Sequence, residues 1–312
     1  MDVTLLIATR NTRDLTARAL ASADASQGVP AKEVVVIDNG STDGTAAFIQ
    51  EKCPGVKVIR AERNLGFARA MNLGAQATQG EFLLLLNSDT VLPPETLAAA
   101  IAWMRGHPAC GVAGVQLLNP DGSPQNSIAN FPTLATELLN KSLLRRLFPR
   151  RFPGKEQRFT EPVEVESVVG AFMLIRRAVW EALGGLDERY FFFLEETDFC
   201  LRARRAGWPV MHLPRITVWH GQGQTAKGAA AGARIEYWRS RYLYFAKNHR
   251  PVQQAVLAAG LCLRLLVDWL VSGCVLALTL GRSERWKNKC RVNSALCLWH
   301  WRGRPPGMGL PR

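Results

Sequence analysis

Three carboxylates lie within four residues behind an aromatic run, at Glu195, Glu196 and Asp198. The residues that follow predict a helix ending near Gly207, so these carboxylates occupy its first turn. A helix N-terminus favours ionised carboxylates, and an ionised carboxylate at the rim of a pocket suits a general base. The alternative is an acidic first turn that only caps the helix.

Two more carboxylates, Asp38 and Asp89, follow apolar runs in the first hundred residues. Apolar runs that alternate with helical stretches predict an α/β fold with a mostly parallel sheet covered on both faces. Ligands bind such sheets beyond the carboxyl ends of the strands, where both carboxylates fall. The predicted strands are Val3–Ala8, Val34–Ile37, Val56–Ile59 and Phe82–Leu86.

The chain contains, in order, the segments VVVIDNGSTDGT, RNLGFARAMNLGA, GEFLLLLNSDT, GAFMLIRRAVWEALGGLDERYFFFLEETDFCLRARRAGW and WH. In order and spacing they resemble the family 2 glycosyltransferases, and within them the bacterial rhamnosyltransferases. The resemblance covers residues 3–245. It implies the GT-A nucleotide-diphospho-sugar transferase fold, with a mostly parallel central sheet flanked by helices and a C-terminal helical appendage. It also implies a nucleoside diphosphate sugar, a divalent metal and an inverting mechanism.

The resemblance implies that Asp89 binds Mg²⁺ or Mn²⁺ and that His220, after an apolar strand, is a second ligand. The family's Asp-x-Asp motif is replaced by Asn87-Ser88-Asp89, so Asn87 is expected to contact ribose or a metal-bound water. Diphosphate oxygens and waters would then complete the octahedron that Mg²⁺ prefers. Such an ion neutralises the departing diphosphate.

The resemblance also assigns a general base. The family pattern Glu-Asp is replaced by Glu195-Glu196, so Glu196 is the expected base and Glu195 the alternative. Asp198 has the i,i+4 spacing for an ion pair with Arg202, which predicts an orienting role. Asp187 either contacts the sugar or caps a turn. The residues expected on the acceptor side are Gly170, Ala171, Asp187 and Asp198.

Nucleotide contacts are implied in the first half of the chain. The backbone near Thr9 and Asn11 is expected to cradle the nucleotide together with Ser88. Asp38 is expected to accept from the imide N–H of uracil or thymine. Arg69 is expected to reach the diphosphate at a helix start, unless it is a solvated charge on the helix face.

The sequence lacks the motifs of several other classes of protein. No Gly-x-Gly-x-x-Gly fingerprint follows the first strand, which argues against a dinucleotide-dependent oxidoreductase, and no P-loop lysine motif is present. The cysteines are odd in number and never spaced Cys-x-x-Cys, which indicates a reducing cytoplasm rather than a zinc site or a disulfide framework. They are Cys53, Cys110, Cys200, Cys262, Cys274, Cys290 and Cys297.

Charge is divided unevenly along the chain. Residues 1–126 carry 10 basic and 12 acidic side chains, and the remaining residues carry 29 and 14. Such asymmetry indicates nucleic acid or an anionic membrane. Nucleic acid is not expected, because no recognised reader motif is present. These clusters are Lys141, Arg145, Arg146, Arg150, Arg151, Lys155 and Arg158, and residues 282–291 with Arg302 and Arg304.

The apolar segment Ala255–Gly281 predicts contact with a membrane surface. Its longest uncharged run, Trp269–Gly281, is too short to span a bilayer. Spanning would bury Arg264 and Asp268 at mid-membrane, which is costly, so one or two helices lying in the interface are expected. The alternative is a helical subdomain packed on the core.

The predicted organisation is a catalytic domain over residues 1–245, with a nucleotide-binding half (1–118) and an acceptor-binding half (119–245). A basic, helical, membrane-associating region (246–312) follows. The expected enzyme is cytoplasmic and peripheral on the inner face of the cell membrane, and transfers rhamnose from dTDP-rhamnose to a lipid-linked saccharide of a surface polysaccharide. The alternatives are a UDP-hexose or UDP-galactofuranose donor, or a non-catalytic subunit that binds saccharide or nucleotide.

Overall fold

The computed structural model describes residues 1–29, 31–152, 159–221 and 230–312. The strands are β1 (Val3–Thr9), β2 (Lys32–Asp38), β3 (Lys57–Arg60), β4 (Phe82–Asn87), β5 (Thr90–Val91), β6 (Val112–Leu118), β7 (Ile128–Ala129), β8 (Val163–Glu164), β9 (Ser167–Val168), β10 (Phe172–Arg176) and β11 (Val210–His220). The helices are α1 (Arg13–Asp24), α2 (Thr45–Lys52), α3 (Phe67–Gln76), α4 (Thr96–Gly106), α5 (Leu134–Leu138), α6 (Lys141–Leu147), α7 (Arg177–Leu183), α8 (Glu195–Arg205), α9 (Ala230–Asn248), α10 (Pro251–Leu278) and α11 (Glu284–Trp301).

A nine-stranded sheet forms the centre of the first compact unit, with strand order β3-β2-β1-β4-β10-β6-β11-β5 and β8 paired with β11. Strand β1 pairs in parallel with β2 and β4, and β10 lies antiparallel between β4 and β6. Nearly every residue of β1 and β4 is buried, as expected for parallel strands covered on both faces. The mostly parallel α/β sheet and its four predicted strands are confirmed.

The loop before α3 docks against the aromatic run that precedes α8. The N–H of Phe67 donates to the carbonyl oxygen of Phe191 at 2.8 Å. Gly66 has φ 81° and ψ 180°, a backbone region that essentially only glycine adopts. A Cβ at this position would overlap the carbonyl oxygen of Phe191. The close approach of these two backbones therefore requires glycine at position 66.

A second compact unit contains α5, α9, α10 and α11. It comprises Pro132–Leu143, Phe192–Leu194 and Ala226–Arg312, and the first unit comprises Met1–Phe131, Leu144–Phe191 and Glu195–Thr225. Helices α10 and α11 form an antiparallel hairpin, in which Trp269 Nε1 donates to Ser294 Oγ at 2.9 Å and Asn293 Nδ2 donates to Asp268 O at 3.0 Å. The functional division at residue 245 stays a prediction. Lys155 and Arg158 of the first basic cluster lie outside the described residues.

Helix α10 is one continuous helix of 28 residues, where the sequence predicted one or two. Its most apolar 18-residue window has a mean hydropathy of 2.0, and 17% of that window is buried. By length and composition alone it could cross a membrane, a test that buried helices of soluble proteins also pass. Its inward stripe consists of Leu257, Leu261, Leu265 and Ser272, and most of its other side chains are exposed.

We expect Gly66→Ala to destabilise the fold more than Gly44→Ala. Both glycines have φ 81°, but Gly44 lies in the left-handed helical region, and a Cβ added there would have no neighbouring atom within 4 Å. Gly44→Ala should cost about 1 kcal/mol of unfolding free energy. Gly66→Ala should cost about 3 kcal/mol or more, because strain and overlap add. Urea unfolding measures both, and equal losses would contradict the docking of the loop on Phe191.

Candidate active site

Asp89 and His220 meet at one edge of the sheet although they are far apart in sequence. Asp89 lies between β4 and β5, and His220 ends β11. Pairing of His220 with Thr90 in the sheet brings the two segments together. His220 Nε2 lies 3.3 Å from Asp89 Oδ1, and the two side chains are 9% and 7% exposed. The backbone register therefore positions this pair.

Gln125, which the sequence analysis did not identify, fixes the His220 ring. Its Nε2 donates to the carbonyl oxygen of His220 at 2.7 Å, and its Oε1 lies 3.0 Å from His220 Nδ1. A carbonyl oxygen only accepts, so this contact sets the orientation of the amide. The amide oxygen then faces Nδ1, which must carry the proton. The lone pair of Nε2 is left facing Asp89.

This arrangement fits a divalent cation. Asp89 Oδ1 and His220 Nε2 are both electron-rich at a separation of 3.3 Å. Adjacent ligands of an octahedral ion at about 2.1–2.3 Å lie about 3 Å apart. Asn87 Nδ2 lies 3.3 Å from the same nitrogen, in keeping with an unprotonated Nε2. Among the described residues, no group of three or more His, Cys, Asp or Glu side chains suited to a metal occurs.

Hydroxyl groups join the carboxyl ends of β1 and β4. Thr9 Oγ1 lies 2.8 Å from Thr12 Oγ1, which lies 3.3 Å from Ser88 Oγ. Asp38 is the register partner of Thr9 on β2 and accepts the N–H of Ser41 at 3.0 Å. Three of the residues predicted to contact the nucleotide thus lie together at the ends of adjacent strands.

Asn11 ties the loop after β1 to the loop after β2. Its φ is 53°, a left-handed conformation that asparagine tolerates. Its Oδ1 accepts the N–H of Thr42 at 2.7 Å, and its own N–H donates to Ser41 Oγ at 3.0 Å. The backbone beside Thr9 is therefore held in one conformation. Its predicted contact with a nucleotide stays a prediction.

Glu195 and Glu196 begin α8, as predicted, and burial opposes the ionised state that a helix start favours. Burial raises the pKa of Glu195 well above its ordinary value, and the neighbouring charge of Glu196 raises it further. Burial also raises the pKa of Glu196 to about 7, against the opposing effect of backbone N–H groups. A helix dipole contributes only about 0.3–1 kcal/mol, which burial outweighs.

The two glutamates differ in access. Glu195 is 4% exposed, and its Oε2 has no hydrogen-bond partner in the part of the chain that the structure describes. Glu196 is partly exposed. Its Cβ and Cγ lie 3.7 Å from the position of a Cβ built on Gly170. The neighbouring Ala171 carbonyl accepts the N–H of Asn87 at 3.1 Å. Glu196 thus adjoins the strand end that carries Asn87.

Asp198 anchors α8 rather than facing solvent. It is fully buried, and its Oδ2 pairs with Arg202 Nε at 2.9 Å, which confirms the predicted i,i+4 pair. The same guanidinium donates to the carbonyl oxygens of Leu183 and Gly185 at 2.8 and 2.7 Å. These bonds join α8 to the end of α7, and so fix the helix that carries the glutamates.

Arg69 and Asp187 both contact the turn at Glu188 and Arg189. Arg69 Nε lies 3.9 Å from Glu188 Oε2. Asp187 accepts the N–H of Arg189 at 3.1 Å and pairs with its guanidinium at 2.7 Å. The Asp187 carboxylate therefore holds a turn. A diphosphate contact of Arg69 and a sugar contact of Asp187 stay predictions.

Comparison with known proteins identifies the family of the chain. The family profile described as Glycosyl transferase family 2 matches residues 4–184. An N-acetylglucosaminyl-diphospho-decaprenol L-rhamnosyltransferase of Mycobacterium tuberculosis is 29% identical over 231 residues, which are 69% of this chain and 75% of that protein. Rhamnosyltransferase WbbL of Escherichia coli is 23% identical over 170 residues, 54% of this chain and 62% of that protein.

A solved structure extends the comparison to the fold. Mannosyltransferase PcManGT from Pyrobaculum calidifontis, in complex with GDP-Man and Mn²⁺, superposes with a TM-score of 0.58 at 16% identity, over 97% of this chain and 88% of that one. At this identity the likeness concerns the fold alone, and that fold is GT-A. The chain is therefore an enzyme, which excludes the non-catalytic alternative, and it belongs to glycosyl transferase family 2, where its relatives include rhamnosyltransferases.

Proposed function

We propose that the enzyme transfers rhamnose, with inversion, from dTDP-rhamnose to a lipid-linked saccharide in the synthesis of a surface polysaccharide. The observation that carries the proposal is the pairing of Asp89 with a His220 ring whose tautomer Gln125 fixes. The relative from Mycobacterium tuberculosis, named for rhamnose transfer to a lipid diphosphate N-acetylglucosamine, supports the sugar and the acceptor class.

Glu196 acts as the general base in this mechanism. It accepts the proton of the acceptor hydroxyl as that oxygen bonds to the anomeric carbon of the donor. The bond from this carbon to the diphosphate breaks on the opposite face, and the nucleoside diphosphate leaves with the bonding electrons. A pKa of about 7 suits the proton transfer at neutral pH. Burial raises the pKa of the neighbouring Glu195 well above its ordinary value, which favours its protonated form and leaves Glu196 as the accepting carboxylate.

Asp89 and His220 would hold Mg²⁺ or Mn²⁺, which would supply positive charge to neutralise the leaving diphosphate. Asn87 lies against His220 and would contact ribose or a water on the ion. The Mn²⁺ and sugar nucleotide bound to the mannosyltransferase of the same fold support this assignment.

Base recognition is assigned to Asp38. Its carboxylate accepts the imide N–H of thymine, a group that uracil shares and cytosine lacks. Thr9, Asn11 and Ser88 lie at the neighbouring strand ends and line the nucleotide. The alternative donors, a UDP-hexose or UDP-galactofuranose, carry the same imide, so this contact does not distinguish them.

Membrane association is assigned to the second unit. Helix α10 carries exposed apolar side chains over most of its length, and α11 carries Arg285, Lys287, Lys289 and Arg291. Exposed apolar area combined with basic charge favours the surface of an anionic bilayer. We place the enzyme on the inner face of the cell membrane, where its lipid-linked acceptor lies.

The donor can be identified by hydrolysis of a panel of sugar nucleotides with Mg²⁺. We expect dTDP-rhamnose to be consumed faster than UDP-glucose, UDP-galactose or UDP-galactofuranose. Release of dTDP or UDP is measured by chromatography, with Glu196→Gln protein as the matched control. Preferred consumption of a UDP-sugar would show that the donor is a UDP-sugar rather than dTDP-rhamnose. If no donor is turned over with a lipid-linked acceptor present, the proposed function is rejected.

We expect Asp89→Ala to abolish transfer and His220→Ala to raise the metal concentration needed for half-maximal rate. Gln125→Leu should also raise it, by about 10- to 100-fold, because the imidazole loses the partner that fixes its tautomer. Mn²⁺ binding in the presence of dTDP, followed by electron paramagnetic resonance, provides a readout independent of turnover. Full activity of Asp89→Ala in excess EDTA would exclude a metal-dependent mechanism.

We expect the rate to fall as the pH drops below about 7, because Glu196 is then protonated and cannot accept a proton. Glu196→Gln should remove this dependence and lower the rate by about 10²- to 10⁴-fold, while dTDP affinity is unchanged. A pH-rate profile of each Gln variant tests this. If Glu195→Gln is the inactive one, the base assignment is off by one residue.

A further inference from the structure

The second compact unit contains a charged pocket that the proposed transfer reaction does not use. Its volume is about 200 Å³, and its lining comes from residues 137–141 and from helices α9, α10 and α11. The floor includes the apolar side chains of Leu261 and Leu265, which belong to the inward stripe of α10. Six of the lining residues are charged: Glu137, Lys141, Arg234, Arg241, Arg264 and Asp268.

One ion pair in this pocket is buried, and its two charges are opposite. Arg241 Nε lies 2.6 Å from Glu137 Oε2, and both side chains are less than a tenth exposed. The guanidinium also donates to the carbonyl oxygen of Glu137 at 3.1 Å and lies 5.4 and 5.5 Å from the ring centroids of Tyr237 and Trp238. Glu137 therefore pairs mainly with Arg241, at 2.6 Å, and more weakly with Lys141, at 3.5 Å.

Three further cations line the pocket with little compensation. Arg234 is exposed and forms no ion pair or hydrogen bond with any residue that the structure describes. Lys141 Nζ lies 3.5 Å from Glu137 Oε1. Arg264 Nε lies 3.9 Å from Asp268 Oδ2. Lysine and arginine side chains suit an anion with several acceptor oxygens, and a phosphate group is such an anion.

Asp268 does not cancel this excess. Its Oδ1 lies 3.7 Å from Lys289 Nζ of α11, so its single charge is shared between Arg264 and Lys289. The pocket lining contains Lys141 and three arginines but only two carboxylates, Glu137 and Asp268. The pocket therefore keeps net positive charge, with Arg234 and Arg264 as its exposed donors.

The surroundings of the pocket indicate an amphiphilic anion. On α10, Leu263, Leu266, Val267 and Leu270 flank Arg264 in sequence and are 48–64% exposed. A phosphate held by Arg234 and Arg264 would have its hydrocarbon chains beside this apolar surface. A free phosphate gains nothing from that surface, whereas a lipid gains burial of its chains.

We propose that this pocket binds the phosphate headgroup of an anionic bilayer lipid, through Arg234, Arg264 and Lys141. This proposal rests on the membrane association proposed above and adds a specific lipid site to it. It does not involve the sugar-transfer reaction. Headgroup binding would fix the depth of α10, because its two charged residues would lie at the level of the lipid phosphates. Arg241 and Glu137 position the floor and do not contact the lipid.

The test is calorimetric titration of the full chain with dihexanoyl phosphatidic acid below its micelle concentration. We expect phosphatidic acid to bind at one site. The double substitution Arg234→Gln/Arg264→Gln should weaken this binding at least about tenfold, because each substitution removes a charge-assisted contact. The matched control is Arg282→Gln/Arg285→Gln, which removes the same charge from exposed positions outside the pocket and should change affinity less than about twofold. Circular dichroism checks that each variant keeps the fold.

Three outcomes would overturn the site. Equal weakening by both double variants would mean diffuse attraction. Equal affinity for inorganic phosphate would mean a free-anion site, and binding of farnesyl diphosphate with no binding of phosphatidic acid would assign the pocket to a prenyl diphosphate. Donor hydrolysis should be unchanged in the pocket variant, so failure of the proposed transfer and failure of this site are read separately. Sedimentation with phosphatidylglycerol and phosphatidylcholine vesicles then tests binding to a bilayer.

Discussion

The register of the central strands is the constraint on which the site depends. Pairing sets Thr9 opposite Asp38 and Ala8 opposite Asn87, so the polar residues after three parallel strands share one edge. Strand β10 runs the other way and starts at this edge, which brings Ala171 to the N–H of Asn87. A slip of one residue would exchange the side chains that β1 and β4 direct to the two covered faces, and would shift the polar residues at the strand ends out of register. Apolar burial on both faces thus holds the polar edge in place.

Burial rather than the helix dipole governs the glutamates of α8. The helix start alone would keep both carboxylates ionised at neutral pH, with a gain of about 0.3–1 kcal/mol. Desolvation acts in the opposite sense and dominates, raising the pKa of both groups. The two groups differ in access: Glu195 is enclosed, and Glu196 is partly exposed. The bonds of Arg202 to Asp198, Leu183 and Gly185 hold this arrangement.

Local sequence patterns predicted the strands, the start of α8 and the pair of Asp198 with Arg202, because each depends on residues close together in the chain. They did not predict Gln125. Its contacts with His220 span 95 residues, and a glutamine in a polar loop carries no periodic signal. The ionisation of Glu195 and Glu196 was also beyond the sequence, since it depends on what covers them. The sequence also left open whether the segment Ala255–Gly281 forms one helix or two, and the structure shows one continuous helix, α10.

The hairpin of α10 and α11 bears on how the second unit would meet a bilayer. Length alone would let α10 span, since 28 residues rise about 42 Å against a hydrocarbon core of about 30 Å. Asp268, however, contacts Lys289 and Asn293 of α11, so α11 lies beside the middle of α10. A spanning α10 would draw Lys289 and its neighbours Lys287 and Arg291 toward the hydrocarbon, at about 2.5–3.5 kcal/mol for each charge at the centre. A hairpin lying at the interface keeps these cations among lipid phosphates and still buries the apolar face of α10, which favours the interfacial orientation.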